Sequence, residues 1–146
     1  MSPPNGTETA VRKLVLAVFL AGSAGMAIEL FFLEHTESLW QWLPLIVLGA
    51  GILSGLVAAI SPRRSTIRPF RMLMFAFLIV GLLGVLLHYQ GNVEFALERD
   101  PSLSGLPLVW KVLRGATPSL APGTLAQLGL LGFIFSWRHP ALRENS

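Results

Sequence analysis

The chain has 146 residues, of which 53% are hydrophobic and only 13% charged, and its mean hydropathy is +0.63. Soluble domains carry about 25% charged residues, so this composition excludes a mainly water-facing surface and points to lipid as the principal solvent. The lack of cysteine excludes disulfides, thiolate-bound zinc and thiol catalysis.

The opening MSPPNGTETA has no apolar periodicity, and residues 1–11 are expected to be disordered. Its Asn5-Gly6-Thr7 sequon is expected to go unused, because the charge pattern below places this tail in the cytoplasm. The run 14–33, LVLAVFLAGSAGMAIELFFL, is long enough to cross a bilayer. Arg12-Lys13 followed by Gly25-Met26-Ala27 also resembles a signal peptide. The apolar run continues to Leu33, so retention as a full span is expected.

A second span is expected over 43–61, with Pro44 tolerated in its first turn, and a third over 70–89. Residues 90–120 form the longest polar stretch, and a structureless loop of that length would be unusual. Val93, Ala96 and Leu97 have helical spacing after an Asn92 cap, ending at Asp100-Pro101. Leu106, Val109, Trp110 and Leu113 repeat at i, i+3, i+4 and i+7, and Gly115 is placed to end that helix. Two short helices over the bundle's outer mouth follow, either a plain interfacial connector or a lid over a site. A fourth span covers 121–137, with Pro122 near its start. The fold class is therefore all-α: a polytopic membrane protein, one domain built as a four-transmembrane-helix bundle.

Charge orients it. Arg12, Lys13, Arg63, Arg64, Arg68, Arg71, Arg138 and Arg143 fall on one side if the helices alternate. The other side carries Arg99, Lys111 and Arg114 against Glu34, Glu37, Glu94, Glu98 and Asp100. By the positive-inside rule both termini and the 62–71 loop are cytoplasmic. Trp40, Trp42 and Trp137 sit where interfacial anchors belong. This banding also accounts for the high pI without invoking nucleic acid.

Small residues mark the faces expected to pack: Ala17, Ala21 and Gly25 in the first span; Gly51, Gly55 and Ala59 in the second; Gly81 and Gly84 in the third; Gly129, Gly132 and Ser136 in the fourth. Glu29 shares a helical stripe with Gly22 and Gly25, and His88 shares one with Gly81 and Gly84. Both are therefore expected to face inward. Glu29 stands as far beyond Arg12 as His88 stands beyond Arg71, about 25 Å at helical rise, which brings a carboxylate and an imidazole to one level. His35 lies about 240° around the helix from Glu29 and joins them only if that helix ends near Leu33. Gln127, within the fourth span, is a second candidate for a buried hydrogen-bonding group.

The simplest role for Glu29 and His88 is a polar pair locking two helices together. Intramembrane ionisable groups otherwise mark function: a proton-responsive or solute-binding site, or a metal site completed by His35, Glu34 or Glu94. Haem between His35 and His88 is a weaker alternative, because no paired-histidine pattern supports it. No nucleotide-binding, nucleophile-elbow or metalloprotease motif is present, and Asp100 reads as a turn-capping residue.

The phrases HYQGNVEFALERDPSL (88–103), GATPSLAPGTLAQLGLLG (115–132) and RHPAL (138–142) resemble those of small, uncharacterised bacterial four-span membrane proteins. That resemblance implies a bacterial inner-membrane location, and it carries no assigned activity or functional residues. The expected function is a non-enzymatic accessory or interaction subunit, and the alternative is a protein that binds or transports a small solute, protons or metal through Glu29 and His88. No cofactor or nucleic acid is expected. The expected partners are the lipid bilayer and either another membrane protein or a second copy of the chain.

Overall fold

The computed structural model describes residues 6–115 and 117–142. Asn5 of the sequon and Arg143 lie outside them. Five α-helices follow in order: α1 Gly6–Phe32, α2 Leu39–Ile60, α3 Arg64–Arg99, α4 Gly105–Leu113 and α5 Gly123–Ser136, with a final 3-10 turn Pro140–Leu142. Three of them, α1, α2 and α3, are long and apolar enough to cross a membrane, and α5 is a shorter apolar helix. Large apolar side chains such as Leu53 and Ile79 are exposed around the bundle, as lipid-facing surface requires.

Helix α1 begins inside the segment expected to be disordered. Once an apolar helix is nucleated, extending it costs little, and Glu8 in the first turn complements the helix dipole. Helix α2 is capped at Ser38, where the Gln41 side chain reaches back to accept hydrogen bonds from the Glu37 and Ser38 amides at 2.6 and 3.1 Å. At the start of α3, Thr66 Oγ1 accepts from the Arg63 amide at 3.0 Å and donates to Ser61 O at 2.6 Å.

The third span does not stop near Tyr89, nor does a separate helix begin at Asn92. Helix α3 runs unbroken for 36 residues, about 54 Å at helical rise. A single Gly91 does not stop a helix whose continuation, Val93 to Arg99, contains good helix formers. The end comes at Asp100, whose Oδ1 accepts from the Ser102 amide at 3.1 Å and hydroxyl at 2.6 Å. Those bonds hold its carboxyl below the usual carboxylate range.

Helices α1, α2, α3 and α5 form a ring in which each packs on its chain neighbour and α5 closes against α1. The centre is aromatic: Phe19 meets Phe70 edge-on at 5.3 Å, and Phe70 meets Phe135 at 5.4 Å. Glycines admit these rings. A Cβ on Gly51 would strike the Phe77 ring, and one on Gly55 would lie 2.9 Å from Leu20. The α3–α5 seam is antiparallel and closer still. Gly81 faces the Ala126 backbone, Gly84 faces Pro122, and Gly129 and Gly132 face Phe77 and Met74. On α1 the expected stripe is only half used: Gly22 abuts Leu128, whereas nothing lies within 4 Å of a Cβ on Gly25. Ser23 supplies the buried small residue of α1 instead, and its hydroxyl has no partner among the described residues.

This topology gathers Arg12, Lys13, Arg63, Arg64 and Arg138 at one end, hereafter the basic end, and Glu29, Glu34, Glu37, Glu94 and Glu98 toward the other, acidic end. At the basic end Arg12 Nη1 donates to Phe135 O at 2.6 Å and Trp137 O at 2.8 Å. A cation from α1 thus satisfies orphan carbonyls at the C-terminus of α5. His139 is buried there, and its Nδ1 accepts from the Ala141 amide at 3.2 Å. Burial, and then the Arg12 charge, push its pKa down.

Candidate functional site

A cavity of about 470 Å³ opens at the acidic end between α1, α2 and α3, roofed by Pro118, Ala121 and Pro122. Its ionisable lining is Glu29, His35 and His88, with Gln41 and Trp40 from the start of α2 and an otherwise apolar wall. The two residues that the periodicities bring to one level therefore share one cavity.

Each arrives by a different local device. His88 follows Gly81 and Gly84 along the face of α3 that packs on α5, and its Nδ1 lies 3.3 Å from Pro118 O. Glu29 lies in the last turns of α1 and is more open than its stripe implies: it lines the cavity but is exposed, because Gly25 beside it meets no neighbouring helix. Glu29 and His88 do not hydrogen-bond to each other among the described residues.

His35 enters because α1 ends early enough. The Glu34 amide bonds Phe31 O at 3.1 Å and the His35 amide bonds Leu30 O at 3.0 Å, with Glu34 at φ 52°. This is a Schellman closure whose left-handed position, normally glycine, is held by a glutamate. The reversal folds His35 back into the cavity wall. Replacing Glu34 with glycine removes the Cβ penalty, so Glu34→Gly is expected to stabilise the protein by about 1 kcal/mol. Denaturant unfolding in detergent measures this; a destabilised variant would show that the glutamate side chain outweighs its backbone cost.

The remaining candidates are not brought in. Glu34 is exposed at the turn, Glu94 is exposed on the outer part of α3, and neither lines the cavity. Gln127 is exposed on the outside of α5, because Leu125, Leu128, Gly129 and Gly132 occupy its packed face. Among the described residues no three His, Asp or Glu side chains converge as metal ligands. Trp40 and Gln41 carry no sequence signal for this site beyond their place at an interfacial helix start.

His35 is half-buried, and desolvation followed by the proximity of His88 lowers its pKa from 6.5. Its neutral form is thus favoured in the folded state. The unfolded chain binds the extra proton first, so the His35 contribution to stability is complete above pH 6.5 and is lost as pH falls through its lower folded-state pKa. Unfolding midpoints should drop as pH falls below 6.5, and the slope should flatten in His35→Asn. An unchanged slope would remove His35 from the acid response.

Three long apolar helices and this end cavity define a small helical membrane protein. Comparison with protein-family models, curated proteins and solved structures found no match to the chain.

Proposed function

We propose that the chain is a non-enzymatic four-span protein of a bacterial inner membrane whose acidic-end cavity binds a small solute in a proton-dependent way. The observation that carries this reading is the meeting of Glu29, His35 and His88 in one largely apolar cavity. With the His35 imidazole neutral, Glu29 and the rim of Trp40 favour a small cationic head on an apolar body. The fourth span is α5: its 14 residues cover about 21 Å, and it packs antiparallel along α3. The positive-inside rule supports N-in and C-in, with the basic end cytoplasmic, and the sequence phrases resembling bacterial inner-membrane proteins support the compartment.

The test compares thermal unfolding of the purified protein with butylammonium, butanol and butyrate, which share one apolar body but differ in charge. Butylammonium alone should stabilise at pH 7.5, and Glu29→Gln should abolish its advantage. Equal responses to all three probes would refute a charge-selective cavity.

A second reading, an accessory or interaction subunit, is supported by α4, whose Leu106, Val109, Trp110 and Leu113 stripe is exposed rather than folded onto the cavity. Reproducible co-purification in mild detergent, lost in Trp110→Glu, would favour it; a solitary monomer would count against it.

A further inference from the structure

A second cavity, about 540 Å³, opens at the basic end between α1, α2 and the turn after α5. Its chemistry is opposite to that of the acidic-end cavity. Among the described residues the polar lining is Thr9, Arg12, Lys13 and His139, with no acidic side chain, and below it Leu16, Ala17, Leu20, Ala58 and Ala59 form an apolar wall. Small residues on both α1 and α2 leave this wall hollow, so it is a groove rather than a packed seam.

The cations are placed, not merely present. Arg12 is fixed through Nη1 by Phe135 O and Trp137 O, which among the described residues leaves its Nε and Nη2 hydrogens for another acceptor. Lys13, next on the same helix turn, is exposed and lines the same opening. The Thr9 hydroxyl stands one turn nearer the chain start. Guanidinium, ammonium and hydroxyl donors around one opening suit a phosphate group. A free anion needs no apolar groove beneath it, whereas a lipid has both parts in this order.

We infer that the basic-end cavity is a binding site for an anionic phospholipid of the adjoining leaflet, its phosphate held by Arg12, Lys13 and Thr9 and one acyl chain lying along Ala17, Leu20 and Ala59. The site is independent of the acidic-end cavity and of any solute bound there. It holds a lipid against the α1–α2 seam where the helices themselves leave space, and so completes the packing of the ring.

Thermal unfolding of the delipidated full chain in neutral detergent tests this, with dioleoylphosphatidylglycerol, dioleoylphosphatidylcholine and inorganic phosphate added separately. Phosphatidylglycerol should raise the midpoint saturably, and the other two should leave it in place. Lys13→Gln should weaken the apparent phosphatidylglycerol affinity about fivefold, and Ala59→Phe, which fills the exposed wall, should abolish the response. If Ala59→Phe fails to fold, Ala17→Leu blocks the same groove from α1. Equal stabilisation by phosphatidylcholine would overturn the headgroup assignment, and equal stabilisation by phosphate would reduce the site to a simple anion site. An undiminished response in Lys13→Gln and in the folded groove variant would overturn the location.

Discussion

Gly81→Leu should disrupt the bundle, while Gly25→Leu should leave it intact, although both replace a transmembrane glycine. An added Cβ at Gly81 would stand 2.5 Å from the Ala126 amide nitrogen and 3.0 Å from the Ala126 Cβ. The obstacle is the backbone of α5, which has no rotamer to move, so the helices must separate along their seam. Overpacking costs about 1–3 kcal/mol where side chains can adjust, and a backbone contact places this variant at or above that upper limit. At Gly25 nothing lies within 4 Å, and exposed substitutions of this kind stay within about 0.5 kcal/mol. Unfolding in a rising fraction of ionic detergent, followed by tryptophan fluorescence, separates the two. Matching midpoints would mean that the α3–α5 approach does not hold the bundle together.

The second large effect is expected at Asn92, which is buried where the outer part of α3 meets the chain after α4. Its Nδ2 donates to Thr117 O at 2.7 Å, Ser119 Oγ at 2.9 Å and Val112 O at 3.2 Å. Its Oδ1 accepts from the Thr117 hydroxyl at 2.8 Å and the Thr117 amide at 3.3 Å. One amide therefore satisfies the Val112 carbonyl at the end of α4 and pins the strap that roofs the acidic-end cavity. Gly115 is required beside it, because a Cβ there would fall 2.5 Å from the Asn92 amide carbon. Asn92→Leu keeps the branched shape but strands several buried polar groups, at about 1–3 kcal/mol each where no water replaces the bond. We expect amide exchange across residues 105–122 to accelerate by at least tenfold, with α1 and α2 protected as before. Protection retained throughout would show that α4 is held by packing alone.

The sequence carries the long helices plainly, because an apolar run of span length has few other uses and the chain between the first three runs is short. It carries the level of Glu29 and His88 for the same reason: helical rise is fixed once an anchor is chosen. It does not carry which side of each helix is covered. Gly25 looks like a packing glycine by spacing, yet only a neighbouring helix can make it one, and α5 reaches Gly22 but not Gly25. Glu29 is consequently more open than its stripe suggests. Asn92 reads as a helix cap because asparagine favours caps, whereas its partners at Val112, Thr117 and Ser119 are distant in sequence and have no local signature. Gln127 is polar enough to suggest burial, but the packed face of α5 is already taken by glycine and leucine. The place of His35 depends on where α1 ends, and a glutamate in a left-handed turn is a stop that propensity does not announce.

The unbroken length of α3 makes it a mast. Bilayer hydrocarbon is about 30 Å thick, so a rod of about 54 Å carries its last turns, and α4 tied to them through Asn92, well beyond the lipid core. Helices answer changes in bilayer thickness by tilting. Pivoting about the basic end by about 10° moves the tip of such a rod sideways by about 9 Å. The exposed face of α4 thus has no fixed address of its own: its position over the membrane is dictated by the inclination of a helix rooted on the opposite side.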